Sequence, residues 1–139
     1  MPVPLAVRYL RHGITYSAEI ITGYLPGTRS LAQCLAEGPV ALSAWEAIGR
    51  CIRHFHAYGL DHVDLNVHNI LLRGEEVFLV DFDRCARRSP GMWRDANLAR
   101  LRRSLDGLED RHRAGRFGDA QWQCLLAAWL RVKPAEDAW

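Results

Sequence analysis

Between Trp45 and Phe55 the apolar residues Trp45, Ile48, Ile52 and Phe55 recur at intervals of three and four, the stripe of an amphipathic helix, and Gly59 stops the pattern. Ser43 and Glu46 are spaced as a capping box at its start. A second stripe, Leu98, Leu101, Leu105 and Leu108, follows Pro90-Gly91. A third, with Trp122, Leu125, Leu126, Trp129 and Leu130, runs from an expected Asp119 cap to Pro134. Upstream, Thr28 or Ser30 can cap a short helix through Leu31 and Leu35 that Gly38-Pro39 terminates. Residues 7–10 and 17–25, alternating and rich in β-branched and aromatic side chains, predict a hairpin that turns at Gly13 and ends at Pro26-Gly27. Residues 70–72 and 77–80, on either side of a turn at Glu75-Glu76, predict two short strands. This order of elements predicts an α+β chain that is mostly helical after residue 27.

Composition adds a frame. With 139 residues, 49% hydrophobic and 24% charged, the sequence suits one soluble globular domain with one core. No apolar run approaches the roughly 20 residues of a membrane-spanning helix. The first residues lack the apolar core of a secretory signal, so the expected location is cytoplasmic. Cys34, Cys51, Cys85 and Cys124 show no Cys-x-x-Cys pairing and read as buried thiols, not as zinc ligands or disulfides. Net charge is only +2, yet residues 84–116 hold ten arginines against four acidic residues. That stretch is locally basic, as a solvated helix surface or a face for an anionic partner would be.

Chemistry concentrates in two loops. Residues 59–69 carry Asp61, His62, Asp64, Asn66, His68 and Asn69 between a helix end and an apolar strand, and Asp81-Phe82-Asp83 follows the apolar run 77–80. Phosphoryl transfer needs a carboxylate to take the proton of the attacking hydroxyl. It also needs oxygen ligands for the magnesium that bridges the nucleotide phosphates.

The spacing His62-x-Asp64-(x)4-Asn69 followed by Asp81-Phe82 resembles the protein-kinase signature. The resemblance implies a protein-kinase-like fold, divided into the end of an N-lobe (residues 1–26, hairpin and hinge) and a mostly helical C-lobe (residues 27–139). It makes Asp64 the catalytic base, His62 the histidine that buttresses the loops, and Asn69 and Asp81 the Mg2+ ligands. Residues 22–27 look like the hinge, with backbone groups of Gly23 and Leu25 holding the adenine of ATP. Asn66 stands where protein kinases carry lysine and joins the catalytic set with Asp64 and His62. Asp83 replaces a glycine, and no room remains for a long activation segment, so a small-molecule or glycolipid acceptor is expected. HVDLNVHNILL and VFLVDFDR, with His56-Ala57-Tyr58-Gly59 before them, closely resemble the 3-deoxy-D-manno-octulosonic acid (Kdo) kinases. Membership there implies transfer of the ATP γ-phosphate to the 4-hydroxyl of Kdo on Kdo-lipid IVA at the cytoplasmic face of the inner membrane. The arginine-rich stretch would then face a phosphorylated glycolipid and an anionic membrane. No nucleic-acid partner is expected.

No Gly-rich loop precedes the hinge, and the one lysine is Lys133. The expectation is therefore a chain that begins inside the N-lobe and has little or no kinase activity by itself. Three alternatives stand beside this reading. One is a non-catalytic kinase-like module, and another an aminoglycoside or other small-molecule phosphotransferase. The third is a non-heme iron site built on His62, Asp64 and His68 or His112.

Overall fold

The computed structural model describes residues 26–131 in full, together with the backbone of residues 4–12 and 15–22. Strands β1 (Pro4–His12) and β2 (Thr15–Thr22) form the expected antiparallel hairpin, with Val7 opposite Ile20 and a register shift between Pro4 and Ala6. Gly23 and Leu25, expected at the hinge, lie outside the described residues.

Next come β3 (Arg29–Ser30) and α1 (Leu31–Glu37). Ser30 caps α1 in a full capping box: its Oγ accepts from the Gln33 N–H at 3.1 Å, and its own N–H donates to Gln33 Oε1 at 2.9 Å. Helix α2 (Leu42–Ala57) starts earlier than the sequence suggested. Ala41 is its N-cap and makes no side-chain cap bond, so Ser43 already lies inside the first turn and the expected Ser43–Glu46 box does not form. Glu46 instead faces Arg50 one turn on, at 3.7 Å.

The two expected strands are β5 (Ile70–Arg73) and β6 (Glu76–Leu79), paired antiparallel with Ile70 opposite Leu79. Strand β3 adds to the other edge of β5 to make a three-stranded sheet. Two pieces that the sequence pattern did not suggest, β4 (Leu60–Asp61) and β7 (Ala86–Arg87), pair with each other. Helices α3 (Trp93–Asp106), α4 (Asp110–Arg113) and α5 (Asp119–Arg131) complete the chain. Leu108 falls beyond the end of α3 but still packs on the core, whereas Leu130, expected on the buried face of α5, is 70% exposed.

The core joins Leu31 and Leu35 of α1, Trp45, Ile48 and Ile52 of α2, Leu65 and Ile70, Leu101 and Leu105 of α3, and Leu125 of α5, all at most 1% exposed. Helices α2 and α5 are the most extensively packed helix pair. They meet backbone to side at Gly49, where a Cβ would lie 2.2 Å from the Leu125 carbonyl oxygen. A methyl group has no room there. Gly49→Ala is expected to cost about 1–3 kcal/mol of stability by overpacking, measured as a lower urea midpoint at unchanged slope. An unchanged midpoint would mean that the two helices are free to separate.

Candidate active site

The loop that follows α2 is fixed at both ends. Gly59 has φ 76°, and a Cβ on it would sit 2.5 Å from the Arg88 carbonyl. Its own carbonyl accepts the Arg88 N–H at 2.7 Å. Glycine is therefore required where the chain turns from α2 into β4.

Three residues on, His62 is 2% exposed. Its Nε2 lies 2.8 Å from the Val80 carbonyl. A carbonyl can only accept, so Nε2 carries a proton, and Nδ1 is buried without a hydrogen-bond partner. The imidazole also packs on Phe82, centroids 4.9 Å apart, and Phe82 on Phe55 at 5.5 Å. Asn69 completes the link, since its carbonyl accepts the Val80 N–H at 3.0 Å. The two predicted loops are thus joined through Val80, and Asp81 is the next residue.

Within the first loop, the Asp64 carbonyl accepts from Asn66 Nδ2 at 3.1 Å and Asn69 Nδ2 at 2.9 Å. Asn66 Oδ1 also accepts the His68 N–H at 2.8 Å. Both ends of the Asn66 amide therefore shape the loop. Ser104 Oγ accepts the Val67 N–H at 3.0 Å, and the Val67 carbonyl accepts the Ala32 N–H at 3.1 Å. With its backbone so held, Asp64 offers a carboxylate that is 44% exposed. Asn69 uses its NH2 on the Asp64 carbonyl, which leaves its Oδ1 as an oxygen donor. Asp81 is exposed and is the one non-glycine residue with positive φ, 65°, among the described residues. Amide and carboxylate oxygens are the hard donors that suit Mg2+.

The sequence pattern gave no hint of what supports this loop from behind. Asn97, on α3 and 4% exposed, donates from Nδ2 to Asp61 Oδ1 at 2.8 Å. Its Oδ1 accepts the His62 N–H at 3.0 Å and lies 3.2 Å from His56 Nε2. Arg88 Nε donates to Asp61 Oδ2 at 2.8 Å. Trp129 Nε1 donates to His56 Nδ1 at 3.0 Å, so His56 is neutral with its proton on Nε2. Burial lowers the His56 pKa from the usual 6.5 to about 4; the Asn97 bond opposes that and the Arg94 and Arg53 charges add to it.

Most of the arginine-rich stretch is likewise internal. Arg88 and Arg102 hold carboxylates, Arg94 the His56 carbonyl, and Arg116 the Leu35 and Ala36 carbonyls, while Arg111 and Arg113 pair with Glu109 and Asp110. It is not a uniform basic face. The four cysteines are free thiols, and burial pushes Cys51 and Cys85 up to about 12. The iron alternative does not assemble: His62 Nε2 is held by Val80, and no three His, Cys, Asp or Glu converge among the described residues.

The model of the lipopolysaccharide kinase (Kdo/WaaP) family matches residues 1–129. The 3-deoxy-D-manno-octulosonic acid kinase of Xylella fastidiosa is 51% identical over 107 residues, covering 76% of this chain and 43% of its own length. That of Stenotrophomonas maltophilia is 49% identical over 143 residues, covering 100% of this chain and 53% of its own. The chain spans about half the length of the curated relatives it matches. Among solved structures, WaaP in complex with acyl carrier protein matches with a TM-score of 0.58 at 23% identity, over 96% of this chain and 62% of that one. The fold is therefore the α+β, mostly helical, kinase-like one expected.

Two outcomes test this geometry. Between pH 6.5 and about 4 the unfolded chain binds a proton at His56 that the folded chain refuses. Stability should therefore fall with pH across that window, by up to about 3 kcal/mol. In His56→Gln this part of the slope in urea unfolding should disappear, and an identical slope would assign it to other groups. At position 81 the left-handed backbone should rank stability, with Asp81→Asn and Asp81→Gly near the parent and Asp81→Ala lower by about 1 kcal/mol. An alanine variant as stable as the asparagine one would remove the backbone constraint.

Proposed function

The chain belongs to the lipopolysaccharide kinase (Kdo/WaaP) family, and from that premise we propose that its loops serve the transfer of the ATP γ-phosphate to the 4-hydroxyl of Kdo on Kdo-lipid IVA. The observation that carries the reading is the double bond pattern at Val80, whose carbonyl receives His62 Nε2–H and whose N–H reaches the Asn69 carbonyl. It brings the loop of Asp64 against the loop of Asp81, the pairing that phosphoryl transfer requires.

Asp64, exposed on a braced backbone, accepts the proton of the attacking hydroxyl. His62 holds the two loops at fixed separation, and Asn66 fixes the shape of the turn that presents Asp64. Asn69 Oδ1 and the Asp81 carboxylate would hold Mg2+, which supplies charge neutralisation at the nucleotide phosphates when bound. On this reading residues 1–26 belong to the end of the N-lobe and residues 27–139 to the C-lobe. The substrate is a membrane glycolipid, so the reaction belongs at the cytoplasmic face of the inner membrane, with Arg84 and Arg87, exposed and outside the internal pairs above, toward anionic head groups.

The test replaces the matching segment of the Stenotrophomonas maltophilia relative with this chain and measures transfer of labelled phosphate to Kdo-lipid IVA. Asp64→Ala should lower the rate by about 10² or more, the range of an acid–base group, with ATP binding retained. Transfer within a few fold of the parent would end the assignment.

A further inference from the structure

We propose that Arg100 is the acceptor-binding residue that recognises the carboxylate of the sugar acid phosphorylated at Asp64. The inference rests on the functional reading above and adds a specificity group to it. Arg100 projects from α3 toward the loop. Its Nε donates to the Val63 carbonyl at 2.8 Å and lies 3.7 Å from Asp64 Oδ1. Those contacts occupy only the Nε side of the guanidinium. Its two terminal nitrogens make no hydrogen bond among the described residues, and the side chain is 43% exposed. An anchored guanidinium with a free fork of donors is the group that takes a carboxylate in two parallel hydrogen bonds.

Three other arginines of α3 and its approach are not available for this. Arg88 is held by Asp61, Arg94 by the His56 carbonyl and Arg102 by Asp106 and Asp119. Arg100 alone is both beside Asp64 and free at its tip. The acceptor named for the curated relatives is an acid. Seating its carboxylate near the Asp64 carboxylate brings two like charges together, at a cost a cation between them offsets. Val63, whose carbonyl anchors Arg100, is itself 39% exposed and adds apolar surface next to that anchor.

The decisive measurement needs no catalysis. The Nε–H held on Val63 gives Arg100 a resolvable NMR signal in the 139-residue chain, which is titrated with the methyl glycoside of 3-deoxy-D-manno-octulosonic acid, with the methyl ester of that compound, and with inorganic phosphate. The acid should move the Arg100 signal and bind about tenfold or more tightly than the ester, and Arg100→Gln should bring acid and ester to equal affinity. Acid and ester binding alike to the parent chain, or an Arg100 signal unmoved by the acid, would overturn the proposal. So would phosphate competing with the acid at equal concentration, which would make this a general anion site. Loss of transfer in Asp64→Ala is read separately, so either reading can fail while the other stands.

Discussion

Asn97 is the residue on which the arrangement depends. One buried carboxamide serves a carboxylate, a backbone N–H and an imidazole, and through them it joins α3, β4, the end of α2 and the start of the loop that carries Asp64. Each partner left unsatisfied in that setting costs about 1–3 kcal/mol. The three bonds therefore act together, because moving the amide to improve one breaks another. Trp129 on α5 and Arg88 after β7 extend the same network to two further segments. What looks like an exposed, polar and adaptable loop is held from beneath by a buried hydrogen-bond network.

The front of the loop is held differently. His62 contacts Val80 and Phe82 by a hydrogen bond and by ring packing, so the position of Asp81 follows from the identity of residue 62 and from its tautomer. Asp64 and Asp81 do not contact each other in this scheme. They are brought into one site by backbone groups of Val80, Asn69 and Asp64, which do not change when side chains are exchanged. This leaves room for variation beside Asp64, where Arg100 and Val63 lie.

The helices, the hairpin and the β5–β6 pair were legible because each has a period that a single sequence displays: Trp45 to Phe55 at three and four, residues 77–80 as an apolar run. The site loops stood out because polar residues crowd there between a helix end and an apolar strand. The cap of α2 was misplaced because Ser43 satisfies the spacing rule, while tertiary packing starts the helix earlier, at Leu42. Asn97 and its bond to Asp61 were missed for a different reason. Their role is a contact between positions 36 apart, and nothing local marks an asparagine on a helix as buried. Gly49 was invisible too, since the neighbour that requires it, Leu125, lies on another helix.

The left-handed backbone of Asp81 bears on how such a chain can change over generations. The few residues that adopt this conformation readily are glycine, asparagine and aspartate. One base change in an aspartate codon reaches either of the other two. A lineage can therefore discard the carboxylate at this position and keep a well-folded scaffold. The step is one mutation long and structurally cheap, so a folded chain of this family is not by that fact a working kinase.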